Sequence, residues 1–457
     1  MIFEVSYGIT GGHAKYQLKK KGATEISAAE SCKQNTKQRQ IALKTKGQRD
    51  YMNFIFISPN FPENYWHFCD RLRRNGVNVL GIGDAPYDGL SNELRSVLTE
   101  YYKVDTLEDY DAVFRAVALF SFKYGKIDWI ESNNEHWLET DAQLRKDFNV
   151  TTGVQPEELA LWKSKSSMKP VYREAGIPSA RNHKVSDLAA AKAFVDEIGG
   201  FPVFAKPDVG VGANDTWKIE NELQLEAFFV EKPDVPYVME EFVVGDIYSY
   251  DAICDSNGDP LFESSFICPN VAESVNNGTE ILYYVTAEVP QQLRELGRKA
   301  IKAFKVRNRF THFEFFRLTE PRKGLGDVGD FVGLEVNMRP AGGFTPDMMN
   351  FAHSTDVYSL WADMVCTDSR SLPDSGVHRY CVFAARKDAF THVHTHNEIL
   401  DEYGARIVMC QRMPEIFAAA MGNQMYTALC DTIEEAREFA TFVLDEQAPI
   451  VTPALFR

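Results

Sequence analysis

The sequence predicts an α/β protein in which a parallel-sheet region precedes a larger α+β region. Apolar strand-like runs alternate with helical runs from Met52 to about Val150, and this alternation is typical of a parallel sheet. Beyond residue 236, strand pairs follow one another across short polar turns such as residues 255–258, as in antiparallel hairpins. The 457 residues exceed what one ordinary core accommodates, so several subdomains are expected.

Composition narrows the protein class. The hydrophobic content of 44% and charged content of 25% are those of a globular protein. We find no run of eighteen apolar residues, no secretory signal and no C-x-x-C pair among the eight cysteines. The formal charge of −16 argues against a nucleic-acid-binding surface. We therefore expect a cytoplasmic protein with reduced thiols that binds neither membrane nor nucleic acid.

The first 51 residues differ from the rest. Residues 1–50 carry ten Lys or Arg against four Asp or Glu, a net charge of +6, whereas the remainder carries 39 against 61, a net charge of −22. This polar, basic stretch is expected to be disordered or loosely attached. Either folding, and native translation with it, begins near Met52, or the extension is a regulatory or partner-binding arm.

The parallel-sheet region should run over residues 52–150. Strands are predicted at Phe54–Ile57, 77–82 and 127–131, with helices at 65–75 and 109–124. Ligands bind such sheets at the carboxyl ends of strands. Two polar loops follow strands, Ser58–Asn64 and Glu131–Glu135, and can hold a substrate. Helix capping explains Glu131 and Glu135 equally well.

Two lysines and a glycine-rich loop follow. A helix over 163–169 and beyond ends at Ala175–Pro178, and Lys206 ends a short strand over 201–207. The loop 209–214 begins like G-x-G-x-x-G, but it runs into another strand rather than a helix, so a dinucleotide site is not predicted. We expect a flap whose glycine amides approach ATP phosphates, with a plain hairpin as the alternative. The sequence contains no P-loop motif.

The residues 334–343 are the most informative stretch. Glu335, Asn337 and Arg339 alternate along a predicted strand and so share one face. A carboxylate and an amide oxygen suit Mg²⁺, and a guanidinium suits a phosphoryl group. The turn at 323–329 is predicted to bring Glu314 onto the adjacent strand. An ordinary edge strand with a polar face is the alternative.

Together these motifs resemble the ATP-grasp superfamily of carboxylate-amine ligases from Met52 onwards. The resemblance implies an ATP-grasp fold with a Rossmann-like pre-ATP-grasp domain, a lid and a small C-terminal subdomain. The implied boundaries are 1–51 for the extension, 52–150 for the pre-ATP-grasp domain, 151–371 for the ATP-grasp domain with its lid at about 163–243, and 372–457 for the C-terminal subdomain.

The resemblance also implies site residues. Arg339 and Lys206 are the implied catalytic residues, and Mg²⁺ would be held by Glu314, Glu335 and Asn337. The implied ATP contacts are Lys165, Lys206, Gly210, Gly212, Glu240, Glu241, Val243 and Asp251. The ribose-binding glutamate common in the family is replaced by Ile247, so Asp246 or Asp251 is expected to substitute. Lys163 competes with Lys165 for the first lysine position.

The implied activity is an ATP-dependent ligase that joins a carboxylic acid to an amine through an acyl phosphate and releases ADP and phosphate. ATP and Mg²⁺, or Mn²⁺, are the expected cofactors, and small-molecule acids and amines the expected partners, with a homodimer left open. The alternatives are an ATP-grasp ligase of nucleotide or carboxylation metabolism, and a non-catalytic ATP-binding regulator.

Two further groups remain open. The predicted strand of Glu335 and Asn337 is followed by polar residues at a place where a substrate would sit, namely Thr345, Asp347, His353 and Asp356. His353 is equally well a plain helix-face histidine. His392, His394 and His396 would align on one strand face as a Zn²⁺ site, or lie in a solvated loop.

Overall fold

The computed structural model describes residues 51–209, 215–269, 280–413, 415, 418 and 421–446. The chain divides into two units, Met1–Tyr51 and Met52–Arg457, and the second forms one compact body. The predicted N-terminal arm and the flap glycines Gly210 and Gly212 lie outside the described residues. None of the described helices is long and apolar enough to cross a membrane.

The first sheet is parallel, as the sequence predicts. Its four described strands run in the order β3-β2-β1-β4, and β1 is completely buried. The prediction missed β3, because its sequence, Glu-Tyr-Tyr-Lys, lacks an apolar run. The elements are β1 Asn53–Ile57, α1 Trp66–Arg74, β2 Asn78–Gly83, α2 Asn92–Val97, β3 Glu100–Lys103, α3 Tyr110–Tyr124, β4 Trp129–Glu131 and α4 Leu138–Asp147.

A second, antiparallel sheet follows, with its described strands in the order β5-β8-β6-β7. One face packs an apolar core that includes Ala205 and Met239, so the alternating residues Lys206 and Glu240 lie on the other face. The elements are α5 Ala160–Lys163, α6 Lys165–Glu174, β5 Asn182–Lys184, α7 Leu188–Ile198, β6 Val203–Pro207, β7 Trp217–Ile219, α8 Glu222–Glu231 and β8 Tyr237–Glu241.

The third sheet is the largest, with a described strand order of β14-β13-β9-β11-β12-β15-β17-β16 and β10 paired to β9. Its first half comprises β9 Gly245–Cys254, β10 Pro260–Ser264, β11 Phe266–Cys268, β12 Ile281–Val285, α9 Gln291–Ala303, β13 Arg309–Leu318 and β14 Phe331–Asn337. The rest comprises α10 Thr345–His353, α11 Val357–Thr367, β15 Tyr380–Arg386, α12 His396–Tyr403, β16 Ile407–Arg412, β17 Gln424–Cys430 and α13 Ile433–Leu444.

The predicted hairpin is confirmed, because β13 pairs antiparallel with β14. Residues 260–268 contain two separate strands, β10 and β11, which pair with different parts of β9. The C-terminal strands continue the same sheet through the pairing of β12 with β15.

Helix α9 packs onto this sheet at one glycine. Gly297 is buried against Tyr250 of β9, and a Cβ at this position would overlap the tyrosine ring. Leu293 and Ala300 flank the contact on the same helix face and belong to the same buried cluster. The absence of a side chain therefore sets how closely the helix approaches the sheet.

We expect Gly297→Ala to lower the free energy of unfolding by about 1–3 kcal/mol, because overpacking forces a backbone shift in a dense core. Thermal unfolding measures the effect. Lys299→Ala, on the exposed face of the same helix, is the control. If both variants unfold at the wild-type temperature, the close packing of α9 on Tyr250 is wrong.

Candidate active site

Three neighbouring strands of the large sheet carry a polar patch on one face. In the register, β13 lies between β9 and β14, and residues directly opposite each other share a face. The patch comprises two cross-strand rows, Asp251–His312–Asn337 and Ser249–Glu314–Glu335. The prediction that Glu314 lies beside Glu335 is confirmed.

Three lysines bring their ammonium groups to this patch. Lys165 Nζ lies 3.1 Å from Glu335 Oε1. Lys206 Nζ lies 3.0 Å from Glu240 Oε2, and Lys169 Nζ lies 3.4 Å from Glu240 Oε1. All three lysines are buried. Lys169 is not among the predicted site residues, although its position one helical turn after Lys165 places both on the same face of the helix.

The buried Asp208 joins helix α6, which carries Lys165, to strand β6, which carries Lys206. Asp208 follows β6 directly, and its Oδ1 accepts a hydrogen bond of 2.8 Å from the amide of Ser166 in α6. Its carbonyl accepts a second bond of 2.9 Å from the amide of Lys165. The start of α6 and the end of β6 are thus held together, which places Lys165 and Lys206 side by side.

The charged groups in this cluster shift one another's pKa values. Burial acts to raise the pKa of Glu240, but the ammonium groups of Lys169 and Lys206 outweigh it and hold that pKa below its ordinary value. Burial lowers the pKa of Lys169, whereas the Glu240 carboxylate overcomes burial and raises the pKa of Lys206. Among the described residues, Glu240 Oε1 accepts no hydrogen bond. The cluster therefore retains unused hydrogen-bonding capacity.

His312 lies between two carboxylates. Its Nδ1 is 2.8 Å from Asp251 Oδ1, and its Nε2 is 3.2 Å from Glu314 Oε1. Burial acts to lower the pKa of His312, but Asp251 and Glu314 outweigh it and raise the pKa to about 9. The sequence analysis missed this residue, although it precedes Glu314 by two positions and so shares its face.

The expectation that Asp251 contacts ribose is wrong. Asp251 is completely buried in the middle of the sheet, where His312 occupies Oδ1 and the Ser249 hydroxyl donates to Oδ2. Both oxygens are committed to side chains of the patch. Its structural role is to orient His312.

The expectation that Glu241 contacts the nucleotide is also wrong for its side chain. Successive residues of β8 point to opposite faces, so Glu241 faces away from Glu240. Its buried carboxylate pairs with Arg181 at 2.8 Å and with Arg322 at 3.1 Å. Val243, just beyond the strand, belongs to a small apolar cluster at this junction.

Arg339 follows β14, and its Nε lies 3.9 Å from Glu135 Oε2. The preceding carbonyl, that of Met338, accepts a hydrogen bond of 3.0 Å from the buried Arg309. Lys163 instead lies 3.0 Å from Glu139, which leaves Lys165 as the lysine nearest the polar patch.

The lysines and the oxygen-bearing side chains of the polar patch fit a nucleoside triphosphate with Mg²⁺. Glu314 and Glu335 are paired across strands, with Asn337 two positions along, and Mg²⁺ prefers such oxygen ligands. Within the described part of the chain, no group of three or more His, Cys, Asp and Glu side chains is arranged to hold a metal ion. These residues would therefore supply only part of a Mg²⁺ shell, and phosphate oxygens would complete it, as is usual for Mg²⁺ in phosphoryl-transfer sites.

The three C-terminal histidines do not share one strand face, because His396 begins α12. Each has its own partner. These pairs are His392 Nε2 with Glu280 at 2.7 Å, His394 stacked on Phe442, and His396 Nδ1 with the Tyr426 hydroxyl at 2.9 Å. The arrangement does not form the Zn²⁺ site considered from sequence.

The residues after β14 take structural partners. Asn64 donates a hydrogen bond of 2.8 Å to Asp347 Oδ2, and the Tyr358 hydroxyl donates one of 3.0 Å to Oδ1. This joins the predicted loop 58–64 to α10. His353 is buried, with Nε2 2.9 Å from the Ser264 hydroxyl, so it is a packed helix-face histidine.

Asp347 yields a pH prediction. Burial raises its pKa from 3.8 to about 6, so between these values the native state binds more protons than the unfolded state. The stabilisation is full below pH 3.8 and is lost as the pH rises through about 6. Asp347→Asn removes this loss.

The melting temperature of Asp347→Asn, relative to wild type, should therefore be higher at pH 7 than at pH 4.5. The exposed substitution Asp401→Asn is the control. An Asp347→Asn difference that does not change with pH would contradict the raised pKa.

Comparison with known proteins gives relatives over parts of the sequence. No protein-family model matches the sequence. The chain is 25% identical over 147 residues to the carbamoyl phosphate synthase large chain of Streptomyces avermitilis, covering 31% of this chain and 13% of that protein. It is 24% identical over 287 residues to the alanine–anticapsin ligase of Bacillus subtilis, covering 54% of this chain and 56% of that protein. The match thus spans less than two thirds of either relative.

Solved structures resemble the chain over most of its length. The L-amino acid ligase from Bacillus licheniformis has a TM-score of 0.64 and 14% identity, covering 86% of this chain and 96% of that one. The biotin carboxylase domain of Hydrogenobacter thermophilus 2-oxoglutarate carboxylase, a complex with MgADP, ADP and bicarbonate, has a TM-score of 0.61 and 13% identity, covering 85% and 89%. The chain therefore has the fold of the ATP-grasp ligases.

Proposed function

We propose that this protein is an ATP-dependent ligase that joins a carboxylic acid to an amine through an acyl phosphate and releases ADP and phosphate. One observation carries the proposal. Three buried ammonium groups lie in one charged cluster: that of Lys165 pairs with Glu335, which lies beside Glu314, and those of Lys169 and Lys206 pair with Glu240. When the glutamates bind a metal ion, the three ammonium groups lose carboxylates that compensate their charge, so a polyanion must take their place. The triphosphate of ATP is such a polyanion.

Each residue would act through its charge. The lysines would bind phosphate oxygens, and Glu240 would contact the nucleotide base once Lys169 turns from Glu240 Oε1 to a phosphate oxygen. A Mg²⁺ ion bound by Glu314, Glu335 and Asn337 would neutralise the phosphate charge that develops during transfer. Arg339 would stabilise the transferring phosphoryl group with its planar donors. Such chemistry depends mainly on positioning and charge.

The acyl phosphate explains why ATP is needed. A carboxylate does not acylate amines, because oxide would have to leave. When a carboxylate oxygen attacks the γ-phosphorus, the bond to the ADP oxygen breaks and an acyl phosphate forms. The neutral amine nitrogen then attacks the acyl carbon, phosphate leaves with the electron pair of the C–O bond, and the nitrogen releases one proton to give the amide.

The decisive experiment measures ADP release across a panel of carboxylic acids and amines. Turnover that requires both an acid and an amine supports the proposal. Bicarbonate in place of the organic acid tests the carboxylation alternative. ATP binding without turnover under any combination would favour a regulator and overturn the ligase.

Arg339→Ala should lower the rate of ADP release by about 100- to 1000-fold, since it removes a donor that acts mainly in the transition state. ATP affinity, measured by calorimetry, should stay within about threefold of wild type. Arg173→Ala, on the exposed face of α6, is the control. Equal loss of ATP binding and turnover would contradict the role of Arg339.

Glu335→Gln should raise the Mg²⁺ concentration for half-maximal ADP release by about tenfold or more, because it replaces a charged metal ligand with a neutral one. Magnesium titrations measure this shift. The exposed Glu320→Gln serves as the control. An unchanged Mg²⁺ requirement would remove Glu335 from the metal shell.

A further inference from the structure

A cleft of about 290 Å³ lies beside β14, the strand of Glu335 and Asn337. Its other walls are the loop after β4 and helix α5. It is lined by four glutamates but only one lysine, with two tryptophans in its walls. The glutamates are Glu108, Glu135, Glu139 and Glu335, and the remaining residues that matter here are Lys163, Trp137 and Trp162. Its volume suits a ligand smaller than the drug-sized molecules that fill pockets of ~300–1,000 Å³.

The charge of this cleft favours a cation. Three of its carboxylates have close partners, since Glu108 lies 2.7 Å from His136, Glu139 lies 3.0 Å from Lys163 and Glu335 lies 3.1 Å from Lys165. The cationic neighbour of Glu135 is Arg339, at 3.9 Å. Carboxylates outnumber cations among the described lining residues, so a cation is attracted here.

Glu135 is the buried member of the set. It is only 8% exposed, and its Oε2 accepts no hydrogen bond from any described residue. The nearest cationic atom to Oε2 is Arg339 Nε at 3.9 Å, beyond hydrogen-bond distance. A buried carboxylate oxygen without a donor is costly, so this atom is suited to a donor that arrives with a ligand.

The surroundings hold Glu135 in place. Asn133, two residues earlier, adopts a left-handed conformation, and its carbonyl accepts a 2.7 Å hydrogen bond from Tyr65. The Ser132 hydroxyl donates to the buried Asp141 at 2.6 Å. The Trp162 ring lies under the Arg309 guanidinium at 5.3 Å. These contacts hold the part of the wall around Glu135 and Trp162 in place.

We propose that this cleft binds the amine substrate as a primary ammonium ion, with Glu135 Oε2 accepting its hydrogen bond. The inference rests on the proposed ligase function and names the recognition site of its second substrate. The position suits the reaction, because Glu335 of β14 lines the same cleft. An amine held there lies beside the site in which the acyl phosphate would form.

The first test measures binding directly. Trp137 and Trp162 line the cleft, so tryptophan fluorescence should report a ligand. Wild-type protein should show a saturable change with L-alaninamide, a cation, but none with L-lactamide, which has the same shape with a neutral hydroxyl. Glu135→Gln should weaken L-alaninamide binding by about 10- to 100-fold, as expected for loss of a charge-assisted hydrogen bond. Equal responses to both compounds, or an unaffected variant, would overturn the proposal.

The second test measures turnover. At pH 7.5, hydroxylamine is a neutral nucleophile that traps acyl phosphates as hydroxamates. Glu135→Gln should raise the KM of ammonium-bearing amines by about 10- to 100-fold, while hydroxamate formation stays within about threefold. L-Alanine and putrescine form separate arms, which distinguish amino acids from diamines. Glu174→Gln, exposed on α6, is the matched control.

The outcomes separate the two proposals. If wild-type protein forms hydroxamates and Glu135→Gln affects amines and hydroxylamine alike, the ligase stands and the ammonium site is overturned. If wild-type protein forms no hydroxamate with any acid, the ligase is overturned, and the fluorescence titration alone decides the site. Selective loss of the ammonium-bearing amines supports the inference.

Discussion

Charge compensation in a buried place is the constraint on which this structure depends. Lys165, Lys169 and Lys206 would repel one another if they were brought together alone, and desolvation would add to that penalty. Glu240 and Glu335 lie between them and make the cluster stable. Glu240 belongs to the second sheet and Glu335 to the third, so the ion pairs of Lys169 and Lys165 link helix α6 to both sheets. The same charges that hold the fold together form the candidate site.

Sequence patterns predicted the features that depend on residues close to one another along the chain. The hairpin that pairs Glu314 with Glu335 is encoded by two apolar strands around a glycine-rich turn. Lys206 was recognisable because a buried strand ends there. The contact of His312 with Asp251 was not recognisable in the same way, because it requires β9 and β13 to be neighbours. Strands β10, β11 and β12 and helix α9 lie between them along the chain, and periodicity does not reveal which distant strands pair.

The missed residues share a physical reason. Lys169 and Arg309 are charged side chains that are almost completely buried, whereas charged residues in a sequence are ordinarily assigned to the surface. Their burial is tolerable only because each has partners from remote segments. Arg309, for example, interacts with Glu131, Trp162 and the Met338 carbonyl. A sequence shows the cost of burying such a group but not the partners that offset it.

The adjacent glutamates of β8 have a consequence for folding. Glu240 faces the lysines, while Glu241 faces Arg181 and Arg322 on the reverse side. A shift of β8 by one residue would turn each glutamate to the other face. Each face of β8 would still carry one carboxylate, but the apolar Met239 would then leave its core. Electrostatics alone would tolerate this mispairing, so the apolar side chains of β8 must select the correct register.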